Sequence, residues 1–172
     1  ESLEAADAID LDTGYFARGG FADYTLKALT SLTVAESAQI RAVQTNRELD
    51  MADRLSASGT AIADLGRLVV RDDRMREAVD ITLSSRLKAA ETGDLVIGEN
   101  ARIEADPQAN ITLEAYRLLD IEGSVVTAGG SIDASADSKY GTVWLGDAAR
   151  LDAAIEAAVD AAVAEMEGGI YV

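Results

Sequence analysis

Four aspartates near the C-terminal end of the sequence, Asp133, Asp137, Asp147 and Asp152, carry its clearest capacity for coordination chemistry. Calcium accepts several oxygen ligands in a flexible geometry, so the acidic corners of a folded chain can hold it. The spacing of these four fits no calcium loop, and a solvated carboxylate is the commoner fate of an aspartate in a turn. Paired carboxylates could instead flank a glycosidic bond, one protonating the leaving oxygen and the other acting as base or nucleophile. Nothing in the sequence singles out such a pair. Phe21, Tyr24, Tyr116, Tyr140 and Trp144 could stack on sugar rings, although aromatics scattered in this way usually pack within a core or along its edge. The chain has neither cysteine nor histidine. That removes thiolate nucleophiles, disulfides, zinc sites built on those residues, haem ligation and imidazole acid–base relays. No residue is therefore assigned a catalytic, cofactor-binding or metal-ligating role.

Two further motifs weigh the same way. Leu11-Asp12-Thr13-Gly14 matches the short active-site core of aspartic proteases, in which two such loops bring carboxylates together to share a proton and activate water. Val96-Ile97-Gly98 resembles the support strand of those enzymes. Tyr15, however, stands where a small residue is usual, and no flap sequence follows, so a plain turn is the better reading. Arg71, Arg74 and Arg76 form the one arginine cluster, but Asp72, Asp73 and Glu77 nearly cancel it, and the expectation is a solvated segment. With 31 acidic against 15 basic residues the net charge is −16, which repels nucleic acid and anionic membrane surfaces alike. No apolar run approaches the length of a membrane span, and the first residues have neither the basic start nor the apolar middle of a signal peptide.

The scaffold that must position these side chains is written in a repeat. LTVAESAQIRA from Leu32, LVIGENARIEA from Leu95 and VWLGDAARLDA from Val143 place apolar residues at the same offsets: Leu32/Val34/Ile40, Leu95/Ile97/Ile103 and Val143/Leu145/Leu151. Small alanines follow at Ala38, Ala101 and Ala149, and again at Ala42, Ala105 and Ala153. Leu95 and Ile97 recur as Leu119 and Ile121 and then as Val143 and Leu145, each step 24 residues long, a period that fits one coil of a β-solenoid. Further short strands are expected at Ile111-Thr112-Leu113, Val125-Val126-Thr127 and Ser131-Ile132-Asp133, with glycine, proline and aspartate at the corners between them. The sequence thus predicts an all-β chain, a right-handed parallel β-helix, as a single segment. Residues 1–18 are a leader or cap, 19–151 the coils, and 152–172 a short helix with a last strand.

Three stretches are less regular. Residues 43–80 mix charged helix formers with strand-like Leu68-Val69-Val70 and Val79-Asp80-Ile81-Thr82-Leu83, and the strands are the stronger signal. An echo of arginine, leucine or isoleucine, any residue, then alanine starts at Arg54, Arg86, Arg102 and Arg150. After Asp152, Ile155, Val159, Ala162 and Met166 recur at helical spacing before Gly168-Gly169. That helix could cap the solenoid end, but further coils are the favoured expectation. Because the sequence starts at Glu1 rather than methionine and stops on Ile170-Tyr171-Val172, it is expected to be part of a longer chain.

The coils are similar to those of the filamentous-haemagglutinin-like large exoproteins that bacteria export by two-partner secretion. The likeness lies in Gly19-Gly20-Phe21 with Tyr24, the run from Gly93 to Gly98 followed by Ala101-Arg102-Ile103 and Asp106-Pro107, the stretch from Ile121 to Gly130 with Ser131-Ile132, and Val143-Trp144-Leu145-Gly146 through Leu151-Asp152-Ala153. The resemblance implies a rigid adhesive rod, secreted or held on the outer face of a Gram-negative cell. It implies a surface or host receptor, glycans included, an outer-membrane export partner for the parent protein, and no catalytic residue in the coils. A carbohydrate-active β-helix enzyme, lyase or glycosidase, is the second expectation. An isolated or engineered solenoid fragment without activity is the third.

Overall fold

Short strands that alternate apolar and polar residues, each ended by a tight corner, wind this chain into a parallel β-helix. The computed structural model describes residues 9–17, 21–86, 93–137, 139 and 141–154. A one-turn helix, α1 (Gly14–Ala17), precedes the first coil, which is built from β1 (Asp23–Lys27), β2 (Ser31–Val34) and β3 (Gln39–Ala42). Residues 43–79 then leave the coil to form β4 (Asn46–Glu48), α2 (Met51–Arg54) and β5 (Arg67–Val69), with 3-10 turns at Ile62–Asp64 and Asp73–Met75. The second coil is β6 (Asp80–Ser85), β7 (Asp94–Ile97) and β8 (Arg102–Ala105). The third is β9 (Asn110–Ala115), β10 (Leu118–Ile121) and β11 (Ser124–Val126), and the fourth is β12 (Ser131–Ala136), β13 (Thr142–Leu145) and β14 (Arg150–Asp152).

Stacking these coils makes three parallel four-stranded sheets: β1-β6-β9-β12, β2-β7-β10-β13 and β3-β8-β11-β14. Every inward position of one coil lies on the same position of the next. Leu32, Leu95, Leu119 and Val143 form one column, and Val34, Ile97, Ile121 and Leu145 the adjacent one. Ile40, Ile103, Val125 and Leu151 form a third, while Tyr24, Ile81, Ile111 and Ile132 line the remaining sheet. The 24-residue recurrence is therefore a physical stack, as the sequence predicts. In the two middle coils the inward side chains of these columns are completely buried, and each contributes about 1.5–3 kcal/mol relative to exposure. Ser85 and Thr127 are polar yet fully buried in the coils, and Thr127 is held by two acceptors. Its buried hydroxyl lies 3.1 Å from the carbonyl oxygens of both Asp106 and Ala109, which share its hydrogen.

The third coil lacks the repeated phrase because one corner is shorter. Only Glu122-Gly123-Ser124 separates Ile121 from Val125, whereas the stretch from Gly98 to Arg102 separates Ile97 from Ile103. The tighter corner brings backbone against backbone: a Cβ on Gly123 would sit 2.4 Å from the Ala101 carbonyl oxygen. No other residue type fits there without displacing the coil beneath.

The two ends of the stack differ. At the first coil the α1 side chain Phe16 is 2% exposed and packs on Tyr24, whose hydroxyl donates to the Phe16 carbonyl at 3.1 Å. Tyr15 and Phe21 complete an edge-to-face cluster around Tyr24. At the fourth coil Val143, Leu145 and Leu151, which continue the inward columns, are 43, 52 and 40% exposed. Of the irregular stretches, Leu68 and Val69 do form a strand, but β5 pairs antiparallel with β4 as a separate ribbon and is not a rung of the helix. The expected helix after Asp152, the last strand from Ile170 and the opening residues before Ile9 lie outside the described residues.

Ile121→Ala is expected to lower the unfolding free energy by about 2–5 kcal/mol through lost burial and a residual cavity. Leu145→Ala, half exposed in the same column, is expected to cost less than about 1 kcal/mol. Urea unfolding followed by circular dichroism measures both, and equal losses would mean that the fourth coil is as sealed as the third.

Candidate functional site

The chemically suggestive residues are dispersed by the fold. Asp133 points outward from β12, Asp147 lies in the corner between β13 and β14, and both are exposed. Asp137 accepts the Lys139 backbone N–H at 3.0 Å. Asp152 accepts the Ala154 N–H at 3.0 Å and pairs with Arg150; these two interactions, in that order, hold its carboxyl below the usual aspartate range. Among the described residues, no acidic group of three or more is arranged to hold a metal ion. Asp12 uses its Oδ1 within its own turn, accepting the Gly14 N–H at 2.7 Å. Ile97 of Val96-Ile97-Gly98 is a core residue of β7. The aromatics also separate. Tyr24 and Phe21 belong to the cap of the first coil, Tyr116 is half-buried in the corner between β9 and β10, and Trp144, 59% exposed, faces outward from the fourth coil. Tyr140 lies outside the described residues.

Outward faces of the coils carry paired charges. On the β3-β8-β11-β14 sheet, Arg102 donates to Glu104 at 3.0 Å and Arg41 approaches the same carboxylate at 3.9 Å. Arg102 and Arg150 of the arginine echo occupy this ladder, whereas Arg54 ends α2 and Arg86 follows β6. Such exposed pairs contribute at most about 1 kcal/mol each. Arg117 grips Asp94 with two donors, Nε to Oδ1 at 2.8 Å and a terminal nitrogen to Oδ2, and these hydrogen bonds hold the Asp94 carboxyl below its ordinary value of 3.8. Asp120, outward on β10 and in register with Trp144, has a buried Oδ1 without a hydrogen-bond partner among the described residues.

The site that sequence reasoning missed is the excursion of residues 43–79. Its ribbon is fastened by Arg47, which donates to the Leu65 carbonyl at 2.5 Å, and by Arg67, 2.9 Å from Glu48. Asp50 and Asp53 form a reciprocal capping box at α2, each carboxylate accepting the other's backbone N–H at 2.8 and 2.9 Å. The N–H groups of Asp50 and then Gly66 hold the Asp53 carboxyl below its usual range. Glu48, Leu49, Asp50, Asp53, Asp64, Gly66 and Arg67 line an open cleft of about 740 Å³. Large apolar side chains stand out to solvent around the excursion, including Met51, Leu55, Ile62, Leu68, Val70 and Met75, each more than half exposed. In sequence this segment reads as strand and helix formers; the usable signal is that its leucines and methionines align with no column of the repeat.

The arginine cluster corrects the expectation of a wholly solvated segment. Arg71 and Arg74 are exposed, but the side chain of Arg76 is 9% exposed and pairs with Asp106, 4% exposed, at the corner before β9. Two sequence-distant charges that are compatible only when paired thus pin the C-terminal root of the excursion to the coils.

No family model, curated protein or solved structure matches this chain. Arg76→Leu, which strands the Asp106 carboxylate, is expected to cost about 3–5 kcal/mol, and the double variant R76L/D106L to recover much of that loss in urea unfolding. Asp94 gives a second test. The folded state binds its proton more weakly than the unfolded chain, so its contribution is complete above 3.8 and is lost as pH falls through the lower folded value. Arg117→Gln is expected to flatten the decline of Tm below about pH 4, and superimposable Tm–pH curves would remove the pair from that decline.

Proposed function

We propose that this chain is an attachment segment of a secreted or surface-held bacterial exoprotein, a rod whose coils hold exposed residues in fixed register against a receptor. The observation that carries this reading is the filled shaft: the inward columns of the middle coils are closed by aliphatic side chains, so contact with any ligand falls to the outer faces and the excursion. Support also comes from the likeness of the coil phrases to filamentous-haemagglutinin-like exoproteins. Export through an outer-membrane partner and display on the outer face of a Gram-negative cell belong to the same reading. Carbohydrate-active chemistry is the second reading, favoured by exposed Trp144 beside the unpartnered oxygen of Asp120, since an indole face stacks on sugar rings.

The fluorescently labelled full chain, offered to cultured epithelial cells, extracellular-matrix proteins and a glycan panel, is expected to bind at least one of them saturably. Absence of retention on all three would overturn the attachment reading. Release of reducing sugar from a retained glycan, lost in Trp144→Ala, would replace it with the carbohydrate-active one.

A further inference from the structure

The third coil is the irregular rung of the rod. Across the corner that follows β7 and β13, five residues separate the inward side chains, Ile97 from Ile103 and Leu145 from Leu151, but after β10 only three separate Ile121 from Val125. The short corner sits back between two longer ones and leaves a notch of about 240 Å³ on the outside of the rod. Large side chains could fill it, yet its lining includes Ala101, Gly123 and Ala148, none of which reaches past Cβ. Backbone hydrogen bonds fix its walls: the Ser124 N–H donates to the Ala101 carbonyl at 2.8 Å, and the Ala149 N–H to the Gly146 carbonyl at 3.0 Å. A ligand therefore meets a shape that is already made, which reduces the ordering cost of binding.

Gln39 and Asn100 bring amides to this notch, Ser124 a hydroxyl and Glu122 a carboxylate. The side chains of Asn100 and Glu122 make no hydrogen bond among the described residues. The same edge continues along β10 and β13. Asp120, two residues before Glu122, lies outward in register between Val96 and Trp144, and its buried Oδ1 is the oxygen without a partner. Exposed Trp144 stands two residues before Gly146, where a Cβ would sit 3.2 Å from the Glu122 Cγ. Two strand residues span roughly 7 Å, so the indole, the orphan oxygen and the notch are neighbours.

These groups select a neutral, polyhydroxylated ligand. Sugar hydroxyls both donate and accept, and so serve the carboxylates of Asp120 and Glu122 together with the amides of Gln39 and Asn100, while the apolar face of a ring stacks on the indole. An anion would meet two carboxylates, and among the described residues the one cation of the lining, Arg102, is paired with Glu104. A cation would leave the amides and the hydroxyl unused and would face Arg102. The notch is smaller than the roughly 300–1,000 Å³ that encloses a drug-sized molecule, so it admits one ring and leaves the rest of an oligosaccharide on the outer face.

We infer that this edge of the third and fourth coils is a binding site for a neutral glycan: one ring enters the notch, and the next stacks on Trp144 and donates a hydroxyl to Asp120. This deepens the attachment reading by naming the receptor's chemistry, and rests on it.

Trp144 is the single tryptophan of the chain, so its emission reports this edge alone. Titration of the full chain with neutral hexasaccharides of glucose, mannose and galactose is expected to shift that emission saturably with at least one of them, and without dependence on salt. An oligogalacturonate, the anionic counterpart, is expected to leave it unchanged. Ala148→Leu, which fills the notch, and Trp144→Ala are each expected to weaken binding about tenfold or more in calorimetry, with the strand dichroism and Tm of the parent. Leu29→Ser, exposed on the first coil, is expected to bind as the parent does. No shift with any neutral hexasaccharide would overturn the inference, and so would binding within about twofold of the parent in both notch and indole variants. Tighter, salt-sensitive binding of a glucosamine hexamer would also overturn it, by making the ligand a cation. Cell or matrix attachment retained in A148L and W144A would sink the glycan site and spare the attachment reading; a parent chain that takes a neutral hexasaccharide but attaches to no cell or matrix would do the reverse.

Discussion

No single coil of this chain can enclose its own apolar side chains. Each holds only a few inward aliphatic groups, and they leave water only when the next coil continues both the hydrogen-bond ladder and the columns. Register is therefore the constraint beneath everything else. Because side chains alternate along a strand, a slip of one residue would exchange the inner and outer faces. Leu95 stacks on Leu119 and Ile103 on Val125, and outside the shaft the same alignment sets Arg41 beside Glu104 and hydrogen-bonds Asp80 to Asn110 and Asn110 to Ser131. The outer ladders follow the register that the core imposes.

This explains why the coils were legible in the sequence and the excursion was not. Inward positions recur because burial constrains them, so Leu32, Leu95 and Val143 announce a repeat even though their outward neighbours differ. The third coil was harder to recognise as a phrase because a shorter corner broke the spacing, but its columns were still visible at Leu119 and Ile121. Residues 43–79 answer to no column. Their strand and helix formers were readable locally, whereas the antiparallel pairing of β4 with β5 depends on contacts that no periodicity encodes. Arg76 shows the limit most sharply: flanked by acids it reads as solvated, and only the fold brings it to Asp106, thirty residues away. The acidic and aromatic residues were legible as types, but their dispersal over separate coils and corners is a fact of topology.

The excursion and the coils divide the labour between them. The coils supply stiffness, since inward residues are interlocked along the axis and glycine corners such as Gly123 leave no room for rearrangement. The excursion carries surface that the repeat would not tolerate, and does so at a junction between the first and second coils, where an insertion interrupts no hydrogen-bonded strand. β1, β2 and β3 still pair with β6, β7 and β8 across it. A segment in this position can change its composition without disturbing the register beneath.

The sealed first coil and the uncovered fourth give the stack a polarity. Phe16 and its aromatic neighbours occupy the position from which a preceding rung would be templated, whereas the fourth coil still offers Val143, Leu145 and Leu151 as a seat. Accretion is thus one-sided. A chain folding from its amino-terminal side would form the plug first and then lay each rung on a finished one. Every completed turn would then bury its columns against the turn before it, so that the shaft lengthens toward the fourth coil and its edge stays the growing one.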